Sequence, residues 1–344
     1  MELGTVHGVN LCGWLVLESW VTPSLFASTG AFDEEGLRQA VGDERYAQLV
    51  DQHRERFITE QDFRGIAARG YNAVRLPVPW TAFTEKADGT PSTLDYVDQA
   101  FDWAELAGIK VLLDVVVDPD GAAKPGEQVE YIATTSRFRP RVIGASTSLA
   151  ERYAGRSAFL GIEPLNEPVV QKRTGLTMSA GVPVHVLRNF YRDCYDAIRA
   201  AAGSSPVVVL SCAGRPDLWN GFMASSHYRN VWLDLHLYHY GQSVDGAGPA
   251  GARKLVERSR RDIARARRSG LPVIVGEWSS ALPVSAATLT PEGLSALERV
   301  YAAAQIEAFR STTGWFFQTW KTEAKLSAWD ARVALSSFER GMFD

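Results

Sequence analysis

The sequence predicts an α/β protein built as a (β/α)8 TIM barrel. Three observations predict it: eight short runs rich in Val, Ile and Leu, helical patterns between them, and long connections after the C-terminal ends of several runs. Alternation of that kind is the signature of βαβ units and a parallel sheet, and eight strands can close a barrel. The strands are expected near residues 4–11, 73–77, 111–117, 160–165, 207–211, 232–237, 273–277 and 315–318. No Pro/Ser-rich linker or short repeat divides the 344 residues, so residues 1–344 are expected to form one domain, a usual length for such a barrel.

The helices announce themselves by their ends. Thr59 is an N-cap with Asp62 as its capping-box partner, and the helix should run to Arg69, where Gly70 ends it. Leu94, Val97, Phe101 and Ala104 recur at helical spacing before Gly108. A longer helix is expected over residues 184–201 ahead of Gly203, and Thr290-Pro291 reads as an N-cap followed by proline at the first helical position. The long connections cover residues 118–138, the stretch from Glu167 to Gly181, and the stretch from Tyr240 to Gly251. All follow strand C-termini, the face that carries the site in barrels of this type.

Composition removes several function classes. Net charge is −4 with acids and bases interspersed, which argues against a nucleic-acid surface. The densest basic stretch, Arg253 to Arg268, also holds Glu257 and Asp262 on a helical pattern and reads as a solvated face. Cys12, Cys194 and Cys212 are too scattered for a disulfide framework or a Cys-x-x-Cys metal site, so buried thiols are expected. There is no apolar run near 20 residues to span a membrane. The N-terminus shows no signal-peptide pattern, which makes the cytoplasm the expected compartment, with secretion the alternative if a leader has been removed.

Chemistry concentrates in two apolar runs that each lead to a glutamate, Phe159-Leu-Gly-Ile-Glu-Pro-Leu-Asn166-Glu167 and Leu271-Pro-Val-Ile-Val-Gly-Glu277. Two carboxyl groups about 5 Å apart at the mouth of a barrel suit retaining glycoside hydrolysis, in which one protonates the leaving oxygen and the other attacks the sugar carbon. Glu167 as general acid needs a raised pKa, from burial and from the negative charge of Glu277. Arg75 can donate charged hydrogen bonds that keep Glu277 ionised. Asn166 is a candidate for the sugar hydroxyl beside the reacting carbon. His236 and Tyr238 share one strand face, with the Tyr hydroxyl expected on Glu277 and the imidazole near Glu167. Trp320 is the expected platform for a pyranose ring, with Trp14, Trp20, Trp80, Trp278 and Trp329 ranked below it. Glu163 shares parity with Glu167 but lies deeper, as a buried, paired acid.

At these residues the chain resembles glycoside hydrolase family 5, in particular its branch of exo-β-1,3-glucanases and related β-glucosidases. The resemblance rests on Gly8-Val-Asn-Leu-Cys-Gly-Trp-Leu-Val-Leu-Glu18-Ser-Trp, Phe57-Ile-Thr-Glu-Gln-Asp-Phe63, Arg75-Leu-Pro-Val-Pro, Gly161-Ile-Glu-Pro-Leu-Asn166-Glu167-Pro, Val275-Gly-Glu277-Trp-Ser and Trp320-Lys-Thr-Glu. It implies a (β/α)8 barrel, net retention, Glu167 as acid/base, Glu277 as nucleophile, and Glu18 bonding outer hydroxyls of the sugar. No metal or organic cofactor is implied. Two departures stand out: Val116 replaces the histidine that the family places after the third strand, and neither clamping phenylalanine of the glucanase branch is present in residues 121–126 or in Tyr238-His239-Tyr240-Gly241. Asp118 and Asp120 are candidate replacement acceptors.

The expected activity is therefore a retaining, exo-acting β-glycosidase removing a β-glucosyl or related β-hexosyl unit from a small oligosaccharide or glycoside. A β-mannosidase or diglycosidase would suit the Val116 change. Readings of another class are a metal-dependent sugar isomerase or lyase, for which the 6 His show no paired spacing, and a non-catalytic carbohydrate-binding barrel.

Overall fold

The structure is a computed structural model that describes residues 4–83, 92–117, 131–174, 177–241, 248–283 and 290–337. Eight parallel strands close a barrel in chain order: β1 (Val6–Asn10), β2 (Ala73–Pro79), β3 (Lys110–Val116), β4 (Phe159–Glu163), β7 (Val207–Ser211), β8 (Val231–Leu237), β9 (Val273–Trp278) and β10 (Gly314–Phe317). A two-stranded antiparallel ribbon, β5 (Arg173–Thr174) with β6 (Thr177–Met178), lies in the connection after β4. Each expected strand is present with its ends shifted by two residues at most. β4 is the consequential case, because it stops at Glu163 and leaves Asn166 and Glu167 in the loop beyond it.

Period two sorts the strands into an inner and an outer face, broken by register shifts in β4 and β9. The outer residues, among them Val74, Leu76, Leu113, Ile162, Leu233 and Val275, form the main core against the helices. The inner residues begin as an apolar plug of Val6, Ala73, Leu112, Leu160, Val207, Val209, Trp232, Ile274 and Phe316. Two residues further along, the same face turns polar: Arg75 follows Ala73, Asp114 follows Leu112, and Asp234 follows Trp232, each fully buried. That change of character at the C-terminal end of the barrel sets the floor of the site.

The helices follow their terminal signals. Thr59 and Asp62 form the capping box of the helix Glu60–Ala68. Ser92 and Asp95 form another at Thr93–Ala107, which ends on Gly108 at φ 70°, a left-handed conformation that glycine adopts without strain. Phe101 from that helix stacks on Tyr153 of the helix Arg139–Tyr153, with ring centroids 3.9 Å apart, and burying such a side chain stabilises by about 2–3 kcal/mol. Val184–Ala202 and Pro291–Phe309 stand where the sequence places them. In the basic helix Gly248–Ala266, Leu255, Val256 and Ile263 are buried while Arg253, Arg260 and Arg261 face solvent, with Glu257 and Asp262 paired to Arg260 and Arg265. All three cysteines are free and buried. No helix among the described residues is long and apolar enough to cross a membrane.

Candidate active site

Arg75 organises the polar floor. Its guanidinium donates to Glu163 Oε2 from Nε (3.1 Å) and Nη2 (2.9 Å), to Asn166 Oδ1 (3.0 Å), to Asn10 Oδ1 (3.1 Å) and to Glu277 Oε1 (2.8 Å). Asp114 Oδ2 lies 3.2 Å from Nη2, within ion-pair range. A buried charge survives only when paired and hydrogen-bonded, and here one cation is shared among several acids. Burial raises the acids: Asp114 is pushed up to about 7 and Glu163 well above the carboxylate range, with Arg75 opposing in both cases. Glu163 is thus the buried, paired acid that its depth on the strand suggests.

Glu277 is the penultimate residue of β9 at the barrel mouth, its second oxygen accepting the Tyr238 hydroxyl at 2.6 Å. Glu167 reaches in from the loop after β4 and sits at φ 38°, a left-handed conformation that costs a non-glycine residue about 1–2 kcal/mol. Its Oε1 lies 2.6 Å from His236 Nδ1, and the same nitrogen lies 3.6 Å from Glu277 Oε2. One oxygen from each glutamate and a His236 nitrogen all fall within 4.8 Å of one another. The two carboxylates, 110 residues apart in sequence, therefore meet across a single cleft.

The electrostatics of Glu167 correct one expectation. Burial does push its carboxyl up, but the hydrogen bond and the charge of His236, with Arg75 behind, outweigh burial and hold it below the ordinary carboxylate value. Its side chain is also 55% exposed, so it is less desolvated than the sequence suggests. The ring is shifted the other way. Burial opposes its protonation, yet Glu277, Asp234 and Glu167 raise His236 well above the usual imidazole range.

Glu18 projects from the loop after β1, accepting Gly13 N–H at 3.1 Å and the Trp20 indole N–H at 2.8 Å. Burial and the charge of Glu277 raise it to about 7, so below that pH it carries a proton it can donate. Trp20 packs against Trp329 (5.2 Å between centroids), and Trp329 against Tyr238 (5.6 Å) and the half-exposed Tyr240 (5.3 Å). An aromatic wall thus runs from the Tyr238–Glu277 pair to the Trp20–Glu18 pair. Gln318 and Cys12 lie in contact beside it, both buried.

Trp320 does not belong to that wall, contrary to the sequence expectation. It is 3% exposed, donates its indole N–H to Asp62 Oδ1 at 2.8 Å, and packs on Tyr71 and Gly65 outside the barrel. Alternation ceases where β10 ends at Phe317, so strand parity says nothing about where Trp320 points. Trp14, Trp80 and Trp278 are likewise buried in packing clusters. The wall residues are Trp20 and Trp329. Asp118 and Asp120 lie outside the described residues. Val116 is at the end of β3, partly exposed.

Sequence reasoning missed Asn10 and Asp234. Asn10 is wholly buried and bridges Arg75 to the Gly276 carbonyl, to which its Nδ2 donates at 2.9 Å. Asp234 faces His236 Nε2 at 3.2 Å. The signal for both was a polar residue on the inner face of an otherwise apolar strand. Two acid–histidine groups approach metal-ligand spacing, Glu163–Asp234–His236 and Glu167–His236–Glu277, and both draw on the one imidazole, whose two nitrogens already face carboxylates.

A closed eight-stranded barrel with two carboxylates at this spacing on its C-terminal face defines a glycoside hydrolase. The model of the cellulase family, glycosyl hydrolase family 5, matches residues 43–327, and the chain belongs to that family. The chain is 31% identical to a "Probable glucan 1,3-beta-glucosidase A" from Aspergillus terreus, aligned over 98% of this chain and 88% of that protein. It is also 31% identical to a "Glucan 1,3-beta-glucosidase" from Blumeria graminis, over 93% and 83% respectively. Among solved structures, the rutinosidase from Aspergillus niger superposes with a TM-score of 0.73 at 20% identity, covering 99% of this chain and 98% of that one. PbGH5A from Prevotella bryantii gives 0.66 at 16% identity, covering 99% and 96%. Membership of the family displaces the isomerase and the non-catalytic readings.

Proposed function

We propose that this glycoside hydrolase is a retaining, exo-acting β-glycosidase that removes a terminal β-glucosyl or related β-hexosyl unit from a small oligosaccharide or glycoside. The observation that carries the reading is the carboxylate spacing. Glutamate oxygens within 4.8 Å of each other suit the separation of about 5–5.5 Å between carboxyl groups in double displacement better than the roughly 6.5–9.5 Å of an inverting pair.

In the first step Glu277, steered by Arg75 and Tyr238, attacks the anomeric carbon while Glu167 protonates the departing oxygen. In the second, Glu167 takes a proton from water, which attacks the same carbon and frees Glu277. Asn166, whose Oδ1 is held by Arg75, keeps its amide N–H groups for a sugar hydroxyl, and Glu18 takes hydroxyls at the far end of the aromatic wall. The names of the relatives support a glucoside substrate. Val116, in the place of the family's histidine, favours a different hexose, such as mannose, or a diglycosidase specificity.

A panel of nitrophenyl β-glycosides decides among these, and poor turnover of the β-glucoside beside rapid turnover of another hexoside would discard the glucosyl assignment. With the preferred substrate, Glu277→Gln should abolish turnover. Glu167→Gln should retain activity only where the leaving group departs unprotonated, and added azide should restore it as a β-glycosyl azide.

A further inference from the structure

The reacting proton needs a resting place, since His236 holds Glu167 below the usual carboxyl range. Asp234 lies two residues before His236 on the inner face of β8, fully buried. Its Oδ1 accepts the Gly276 N–H at 2.5 Å and its Oδ2 faces His236 Nε2 at 3.2 Å. Gly276 is required by this arrangement: a Cβ there would stand 1.9 Å from Asp234 Oδ2. The carboxylate occupies the side-chain space of residue 276 and pins the backbone one residue before Glu277.

Facing a carboxylate, Nε2 is a donor. Two states then remain for the 2.6 Å contact between Nδ1 and Glu167 Oε1: an imidazolium donating to a carboxylate, or a neutral ring accepting from a carboxylic acid. Either way one proton lies between the two atoms.

We propose that Asp234 is a positioning residue for the acid step: by accepting Nε2–H of His236 it keeps the reacting proton between Nδ1 and Glu167, on the ring in the free enzyme and on the carboxyl once a glycoside covers it. The proposal rests on the reading of Glu167 as general acid. Every element around the ring contributes to its charge state. Glu277 from β9 and Glu167 from the loop after β4 face Nδ1, and Asp234 faces Nε2. Arg75 from β2, Asp114 from β3, Glu163 from β4 and Cys212 beyond β7 stand behind them, with Tyr238 one residue past the end of β8. The net field of the acids favours an imidazolium in the empty cleft. A sugar covering the 55% exposed Glu167 side chain strips water from its carboxylate, and desolvation drives the proton from Nδ1 to oxygen. The N–H electron pair stays on Nδ1. The new O–H then breaks as the leaving oxygen takes the proton, keeping the electrons of the glycosidic bond while Glu277 supplies a pair to carbon.

Asp234→Asn tests this, because the amide N–H of asparagine can face Nε2 while its oxygen keeps the Gly276 contact. Nε2 must then accept, the neutral ring carries its one proton on Nδ1, and Glu167 loses its supply. For a disaccharide or alkyl glycoside of the preferred hexose, kcat/KM should fall about 100-fold, while a dinitrophenyl glycoside, which departs unprotonated, should change less than about 3-fold. An equal loss on both substrates would mark a purely structural role and overturn the assignment. In the unaltered enzyme, 15N spectra of labelled histidine should show both His236 nitrogens protonated at pH 7; a neutral ring there overturns the proposal without any variant. Absence of turnover by the unaltered enzyme on every glycoside would instead strike the glycosidase reading, leaving the histidine spectrum to judge Asp234.

Discussion

Arg75 makes five hydrogen bonds to four side chains from β1, β4, β9 and the loop after β4, so one residue sets the mutual geometry of Asn166 and Glu277. The aromatic wall is the other residue-scale device, and it reverses the order in which the sequence ranks two tryptophans, Trp320 above Trp329. Trp329 adjoins Tyr238, which holds Glu277, and Trp20, which holds Glu18. Trp320 gives its N–H to Asp62 behind the barrel. Trp329→Ala is accordingly expected to lower kcat/KM about tenfold, the loss of one ring-on-aromatic contact worth roughly 1.4 kcal/mol. Trp320→Phe should leave kcat/KM within about twofold but lower stability by about 1–2 kcal/mol, because Asp62 Oδ1 loses its donor. Steady-state kinetics and urea unfolding on the two variants check both halves. A large kinetic loss in Trp320→Phe without a loss of stability would return that residue to the cleft.

At the scale of elements, the barrel was legible because its strands are buried on both faces and its helices carry explicit stop signals. Gly108 and Gly203 end helices where the sequence places them, and the capping box at Thr59 forms as read. His236 was legible because residues inside a strand obey period two, whereas Glu277 turns into the cleft through the register shift between Val275 and Glu277, and Tyr238 lies one residue past the end of β8. What escaped lies past the strand ends, as with Trp320, or inside the barrel, where Asn10 and Asp234 looked like interruptions of an apolar pattern. The lowered Glu167 pKa escaped because it depends on the charge of His236, which Glu277 and the unforeseen Asp234 favour, and the expected position of the ring alone does not reveal that charge. Asp62 joins these levels: it caps the helix Glu60–Ala68, accepts the Trp320 N–H, and pairs with Lys321 at 2.7 Å. Thr59→Ala, which removes only the cap, should cost about 1 kcal/mol in denaturant unfolding. Asp62→Ala should cost about 3 kcal/mol, since it strips three partnerships at once. Equal costs would show that the contacts to Trp320 and Lys321 carry no weight.

For the whole molecule, the site and its surroundings respond to pH with opposite signs. His53 is buried with Nε2 on the Gly13 carbonyl at 2.6 Å, and burial depresses it to about 4. Its folded pKa lies below the unfolded value of 6.5, so between those limits the unfolded chain binds more protons; the stability His53 contributes is complete above pH 6.5 and is lost as pH falls toward 4. A shift of that size is worth about 3 kcal/mol. Glu18 behaves in reverse, although only two hydrogen bonds through Gly13 separate it from His53. Its folded pKa of about 7 exceeds the unfolded 4.5, so the folded chain binds more protons and Glu18 progressively destabilises the fold as pH rises from 4.5 to 7. Thermal unfolding of the unaltered protein, His53→Gln and Glu18→Gln from pH 4 to 8 separates the two. The Tm advantage of the unaltered protein over His53→Gln should widen from pH 4 to 6.5 and then stay level. Glu18→Gln, which mimics the protonated acid, should gain on the unaltered protein from pH 4.5 to 7. Parallel curves for all three would mean that neither group titrates as its surroundings require, and that Glu18 enters the cleft already charged at acidic pH.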